Sequence, residues 1–250
     1  MNEARIALQL YTVRSVGGLA QRLAVARGAG YAWVETETLH GLEADAFVAA
    51  LREAGLGLAS MHVEMSDLAE RLPAVLAALR ELGCRQLVMP WLDEAERPAD
   101  AAGWRALGAQ LQAHAQALAG QGVALAYHNH AFEFERLADG KTVLETIFDA
   151  APALRWQPDV AWVARAGEDP AAWLARYAAR LQSVHVKDLD EAGDPAEQGW
   201  ATLGEGRLPW AQWLPGLAGR VQTFIVEHDH PREPARTARA GLAFLRQRLA

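Results

Sequence analysis

The sequence predicts a single (β/α)₈ barrel spanning residues 1–250. Three observations carry this. Eight short apolar segments alternate with segments rich in Ala, Leu and Arg. The chain has 250 residues, the usual size for eight such units. No Gly-x-Gly-x-x-Gly follows the first strand, which favours a closed barrel over an open doubly wound sheet, the other fold with this alternation.

The strands are expected near Arg5–Tyr11, Tyr31–Glu37, Leu56–Val63, Gln86–Trp91, Val123–His130, Leu154–Asp159, Leu181–Asp188 and Thr223–Asp229. Helices are expected over 18–29, 43–54, 66–82, 100–121, 142–150, 170–179, 209–218 and 234–249. Strict alternation implies parallel strands with right-handed crossovers. Gly30, Gly55, Gly83 and Gly122 stand where a helix must stop before the next strand. Ser66-Asp67 can cap the third helix, and Asp169-Pro170 places Pro at a first helical position. The longest irregular stretch, Asp188 to Pro209, follows the seventh strand and so lies over the active face. Its glycines and Trp200 suggest a mobile cover. No linker or low-complexity tract divides the chain.

Composition narrows the class. Hydrophobic residues make up 51% and charged residues 22%, the balance of a globular protein. The net charge of −7 argues against nucleic acid and against an anionic membrane as partner. No basic leader precedes the first strand and no apolar run reaches membrane-spanning length, so a cytoplasmic location is expected. A homodimer stays open. The lone Cys84 excludes an internal disulfide and reads as inert core.

Polar residues gather where the strands end. These are Gln9 and Tyr11; Glu35 and Glu37; His62 and Glu64; His128-Asn129-His130; Asp159; His185, Lys187 and Asp188; and Glu227, His228 and Asp229. In a barrel those ends share one mouth. Buried ionisable groups are costly unless paired or metal-bound. His128, Asp159, His185 and Glu227 end four consecutive strands and can aim at one point. Two imidazoles and two carboxylates suit one divalent ion such as Mn²⁺, Zn²⁺, Co²⁺ or Fe²⁺ better than Ca²⁺. The alternative is a hydrogen-bonded core layer. Gln9, Glu35 and His62 are expected to face a substrate. Trp91, Trp162 and Trp200 can lay an indole on the C–H face of a sugar, or pack at the rim. Lys187 points the same way as His185 and can hold a developing oxyanion. Gly204-Glu205-Gly206 lacks the helix start and Lys-Ser or Lys-Thr pair of a phosphate cradle, which leans the substrate toward a non-phosphorylated one.

Gln9-Leu10-Tyr11-Thr12-Val13-Arg14, Tyr127-His128-Asn129-His130-Ala131-Phe132-Glu133-Phe134 and Val184-His185-Val186-Lys187-Asp188 resemble the sugar phosphate isomerase/epimerase branch of the xylose isomerase-like TIM-barrel superfamily. Pro90-Trp91-Leu92, Gly204-Glu205-Gly206 and Ile225-Val226-Glu227 extend the match over the whole chain. The resemblance implies one Mn²⁺-, Mg²⁺-, Co²⁺- or Zn²⁺-dependent site with a Glu–Asp–His–Glu ligand set. Asp159, His185 and Glu227 match it, while His128 stands where the first glutamate is usual. Sugar epimerases of this kind use two metal-bound glutamates as paired acid and base, and that pairing cannot be copied here. Glu133 or His130 is expected to take the missing acid–base role, with Glu227 as the other and Lys187 assisting.

The expected reaction is proton abstraction next to a carbonyl of a sugar or keto-polyol, through a metal-stabilised enediolate, giving isomerisation or epimerisation. Loss of a β-hydroxyl from keto-inositols or keto-glycosides by a metal-dependent lyase is the alternative. A non-catalytic sugar-binding barrel is a third.

Overall fold

The computed structural model describes residues 5–249, so residues 1–4 and 250 of the expected domain lie outside the described residues. Eight strands form one sheet: β1 (Arg5–Gln9), β2 (Trp33–Glu37), β3 (Gly57–His62), β4 (Gln86–Met89), β5 (Ala124–His128), β6 (Arg155–Gln157), β7 (Ser183–Val186) and β8 (Thr223–Val226). Each lies inside its expected span. The order is β6-β5-β4-β3-β2-β1-β8-β7, with every pair parallel. The ring closes between β6 and β7 through the bridges Trp156–Leu181 and Asp159–His185. The closure therefore passes through two of the expected ligands.

Helices wrap the ring because their apolar residues recur at helical spacing. The helix Ala101–Ala119 buries Trp104, Gly108, Leu111, Ala115 and Leu118, one stripe of alternating three- and four-residue steps. Each large side chain so buried contributes about 1.5–3 kcal/mol. The last helix, Pro234–Leu249, buries Ala238, Gly241, Leu242 and Leu245 in the same way.

Several boundaries differ from expectation. The helix expected over 66–82 is two helices, Met65–Glu70 and Leu72–Leu82, broken at Arg71 (φ −115°, ψ 2°). Pro73 lacks an N–H and crowds the preceding backbone, and it stands in the first turn of the second helix, where neither is a cost. The cap of the first piece is Glu64, which forms a reciprocal capping box with Asp67, not Ser66-Asp67. A short helix, Val160–Arg165, follows β6 and is capped by Asp159, so Trp162 is helical. The helix expected over 170–179 ends at Arg176.

The stretch after β7 is not wholly irregular. Asp188–Leu189 pairs antiparallel with Trp200–Ala201. The Asp188 carboxylate accepts from the N–H groups of Leu189, Gly204 and Leu208, each at 3.0 Å. A side chain at Gly206 would overlap Asp188 Oδ1 and the Leu189 carbonyl, and one at Gly204 (φ +88°) would overlap Phe244. The Gly204-Glu205-Gly206 turn is therefore a packing device that holds the loop on the barrel.

Candidate metal centre and active site

The mouth opens into a cavity of about 550 Å³. At its floor, the ligand atoms of His128, Asp159, His185 and Glu227 all lie within 4.8 Å of one another, and all four residues are buried. His185 is gripped from two sides: Nδ1 lies 2.8 Å from Glu227 Oε2, and Nε2 lies 2.6 Å from Glu35 Oε1. Asp159 Oδ1 accepts from the Trp162 N–H at 2.9 Å, while Oδ2 is buried and faces the Lys187 ammonium at 3.2 Å. His128 Nδ1 is buried and unpartnered. An orphaned buried ring nitrogen of this kind is uncommon and calls for a cation or a ligand. The four residues fit a divalent ion.

Asparagine between the two histidines has a structural reason. Asn129 Oδ1 accepts from the Asp159 N–H (3.2 Å) and from Trp156 Nε1 (3.0 Å), and its amide donates to the Asp159 carbonyl (3.2 Å). It pins the backbone of Asp159 to the strand that bears His128.

Glu35, expected to face substrate, is fully buried beneath the ligands. It accepts from Gln9 (2.9 Å), Gln157 (2.7 Å) and Ser60, and it pairs with His62 (2.9 Å) and His185. Burial pushes this carboxyl up, but the two imidazoles outweigh it and hold it well below the usual carboxylate range. The register of β2 against β3 slips at Glu35, leaving Ala59 unpaired with β2. That bulge lets both Ser60 and His62 reach Glu35. Gln157 and Gln86 both donate to Ser183 Oγ, at 2.9 and 2.6 Å, extending the polar layer across the barrel. Ser60, Gln157, Ser183 and Gln86 were not foreseen. The available signal was that Ser60, Gln157 and Ser183 each stand two residues before a mouth residue.

Lys187 is enclosed by carboxylates: Asp229 at 2.6 Å, Glu227 at 3.0 Å and Asp159 at 3.2 Å. Burial disfavours its charge, but these three outweigh that and raise its pKa. For His185, burial pulls down while Glu35 and Glu227 push up to about 10. Glu227 is lowered despite burial, by Lys187 and His185. Asp159 is raised by burial to about 6, Lys187 only partly opposing.

The candidate acid–base residues separate. His130 lines the cavity, edge-on to Trp91 with ring centres 4.6 Å apart and beside His128 at 5.0 Å. Burial depresses it to about 3, so it is neutral. Glu133 is fully buried and does not line the cavity. It accepts from Tyr127 Oη at 3.0 Å and from the His130 N–H at 2.7 Å, and burial raises it to about 8. It does not pair with Arg136, which holds Glu168 instead. Gln9, His62, Trp91, Trp162 and Trp200 line the cavity, with Trp91 40% exposed and Trp200 packed against Trp162 at 4.6 Å.

A parallel eight-stranded barrel with two imidazoles and two carboxylates converging at its mouth defines a barrel with a candidate metal centre. The chain belongs to the xylose isomerase-like TIM barrel family, whose model matches residues 23–248. Its fold is similar to that of a sugar phosphate isomerase/epimerase from Parabacteroides distasonis ATCC 8503 (TM-score 0.78, 18% identity, 98% of this chain and 94% of that one). It is also similar to the probable 3-DHS dehydratase AsbF from Bacillus anthracis (0.69, 11%, 97% and 98%) and to the IOLI protein solved with a zinc atom (0.76, 11%, 98% and 98%). No curated protein matches the chain in sequence. Among the described residues, no helix is long and apolar enough to cross a membrane.

Proposed function

We propose that the protein is a divalent-metal-dependent isomerase of a sugar or keto-polyol, acting by proton abstraction next to a carbonyl. The observation that carries this reading is the convergence of His128, Asp159, His185 and Glu227 within 4.8 Å of one another, with His128 Nδ1 buried and unpartnered, at the foot of a sugar-sized cavity. A bound ion would supply Lewis-acid polarisation of the carbonyl oxygen. Mn²⁺, Zn²⁺ and Co²⁺ suit the donor set best, with Mg²⁺ the hardest of the candidates.

The chain's residues do the rest. Glu35 fixes the His185 ring and its tautomer from below. Lys187 holds the oxygens of Asp159 and Glu227 and neutralises their mutual repulsion. His130, neutral and on the wall, takes and returns the substrate proton at its imidazole. Glu133 positions His130 through the backbone N–H and touches no substrate. Trp91 and Tyr11, the most exposed aromatic rings at the rim, receive the C–H face of the ligand. Glu227 is the only carboxylate of the ligand set that lines the cavity. The paired carboxylates of an epimerase are thus absent from the set, which favours proton transfer on one face over inversion.

The same observation supports a second reading. A single-face base that removes the first proton also serves loss of a β-hydroxyl, which makes the protein a lyase. Incubation of keto-sugars and keto-inositols with metal-loaded protein in D₂O tests both. Metal-dependent C–H exchange, read by NMR, is expected. An ultraviolet-absorbing enone product would assign the lyase, and absence of any exchange would leave a sugar-binding barrel.

A further inference from the structure

One guanidinium stands on the cavity wall with no carboxylate to neutralise it. Arg165 ends the short helix Val160–Arg165 that Asp159 caps, so the element that orients a candidate ligand also delivers this cation to the mouth. Its Cζ lies 4.5 Å from the ring centre of Trp200 and 5.3 Å from that of Trp162. One N–H donates to the Gln198 carbonyl at 3.1 Å. Gln198 itself is left-handed, with φ +56°, and Gly199 follows at φ +81°. The chain accepts that strain where the carbonyl meets the guanidinium. Two indoles and a carbonyl therefore hold the group in place before any ligand arrives.

Its charge is unspent. Among the described residues no Asp or Glu oxygen lies within 4.0 Å of it, and Glu191 on the adjoining loop is held instead by Arg207 at 2.7 and 2.5 Å. The other lining charges are acidic. Glu37 pairs with Arg22 at 3.4 Å, Glu227 and Asp229 share Lys187, and Glu64 is engaged as the cap of the helix Met65–Glu70. The Lys187 ammonium at the ligand cluster lies 4.6 Å from the same Trp200 ring centre. Arg165 and Lys187 thus both approach one indole, which puts them within the reach of a single small ligand.

We propose that Arg165 recognises an anionic group on the substrate, and that the substrate of the reaction proposed above is a sugar or polyol bearing a carboxylate. The guanidinium fork matches a carboxylate in two parallel hydrogen bonds. A phosphate ester calls for more donors than this. The N-terminus of the Arg165 helix is taken by Asp159, and the Gly204-Glu205-Gly206 turn is filled by Phe244 and Asp188.

The test is binding of D-glucuronate, D-glucose and D-glucose 6-phosphate to the Mn²⁺-loaded protein, read by tryptophan fluorescence and calorimetry. Glucuronate is expected to bind about tenfold or more tightly than glucose, from one charge-assisted bidentate contact. Arg165→Met should bring glucuronate to the level of glucose without changing glucose, and Arg165→Lys should keep part of the difference. Equal binding of glucuronate and glucose overturns the proposal. So does an Arg165→Met variant that weakens both alike, the result of a purely structural role. An Arg165-dependent preference for glucose 6-phosphate overturns the carboxylate assignment in favour of a phosphate. Because the readout is binding, charge discrimination without any C–H exchange would refute the isomerase reading and leave this one standing, and exchange without discrimination would do the reverse.

Discussion

The His185 ring rests on the Glu35 carboxylate, Nε2 to Oε1 at 2.6 Å, with both side chains fully buried. A carboxylate behind an imidazole fixes the ring and raises its basicity toward a cation on the other nitrogen. Glu35→Gln keeps the shape and removes the charge. Divalent-metal affinity, measured by competition with a chromophoric chelator, should fall by about 10–100-fold. Unchanged affinity would show that Glu35 serves only the barrel core.

His130 carries the proton in the proposed reaction. His130→Asn should lower turnover by about 10²–10⁴-fold. Metal content should stay at the wild-type level, because His130 is outside the ligand set. Turnover within a few-fold of wild type would transfer the role to Glu227.

Glu133 gives a pH signature of its own. Its folded value, about 8, lies above its ordinary 4.5. The folded chain therefore holds a proton that the unfolded chain releases in that window. The associated stability is full below 4.5 and is lost as pH rises through 8. Glu133→Gln mimics the protonated form and keeps a partner for Tyr127 and for His130. Denaturant titrations should show the variant gaining on wild type by up to about 1.4 kcal/mol per pH unit across the window. A constant difference would mean that Glu133 is ionised in the folded protein.

Gly206 approaches Asp188 and Leu189 so closely that a methyl group has no room. Gly206→Ala should cost about 1–3 kcal/mol and loosen the loop between β7 and β8. Chemical denaturation reads the first effect and hydrogen exchange the second. Wild-type stability would show that the loop is not braced through this contact.

The barrel was legible because its strands are apolar runs set apart by helix-stopping glycines. The break at Arg71 was hidden by apolar spacing that continues on either side, although Pro73 marked it. The helix after β6 has only six residues, too few to show a period, and so Asp159 read as a strand end where it is a helix cap. The convergence of His128, Asp159, His185 and Glu227 was legible from strand order alone. The layer beneath was not, since Ser60, Gln86, Gln157 and Ser183 are isolated polar residues in apolar strands, and only the chain of hydrogen bonds from Gln86 through Ser183 and Gln157 to Glu35 and Ser60 gives them meaning. Glu133 shows the limit of phase arguments. Five residues beyond His128, it was expected to serve as acid or base, but the short helical turn Phe132–Phe134 folds it back under His130.

Metal stoichiometry tests the central claim most directly. Purified protein, stripped with a chelator and titrated with Co²⁺ under the visible absorption of the ion, should bind one equivalent per chain. His185→Gln and Asp159→Asn, checked for folding by circular dichroism, should each abolish that binding. Absence of stoichiometric binding by the wild type, or one equivalent retained by both folded variants, would contradict a metal centre built from His128, Asp159, His185 and Glu227.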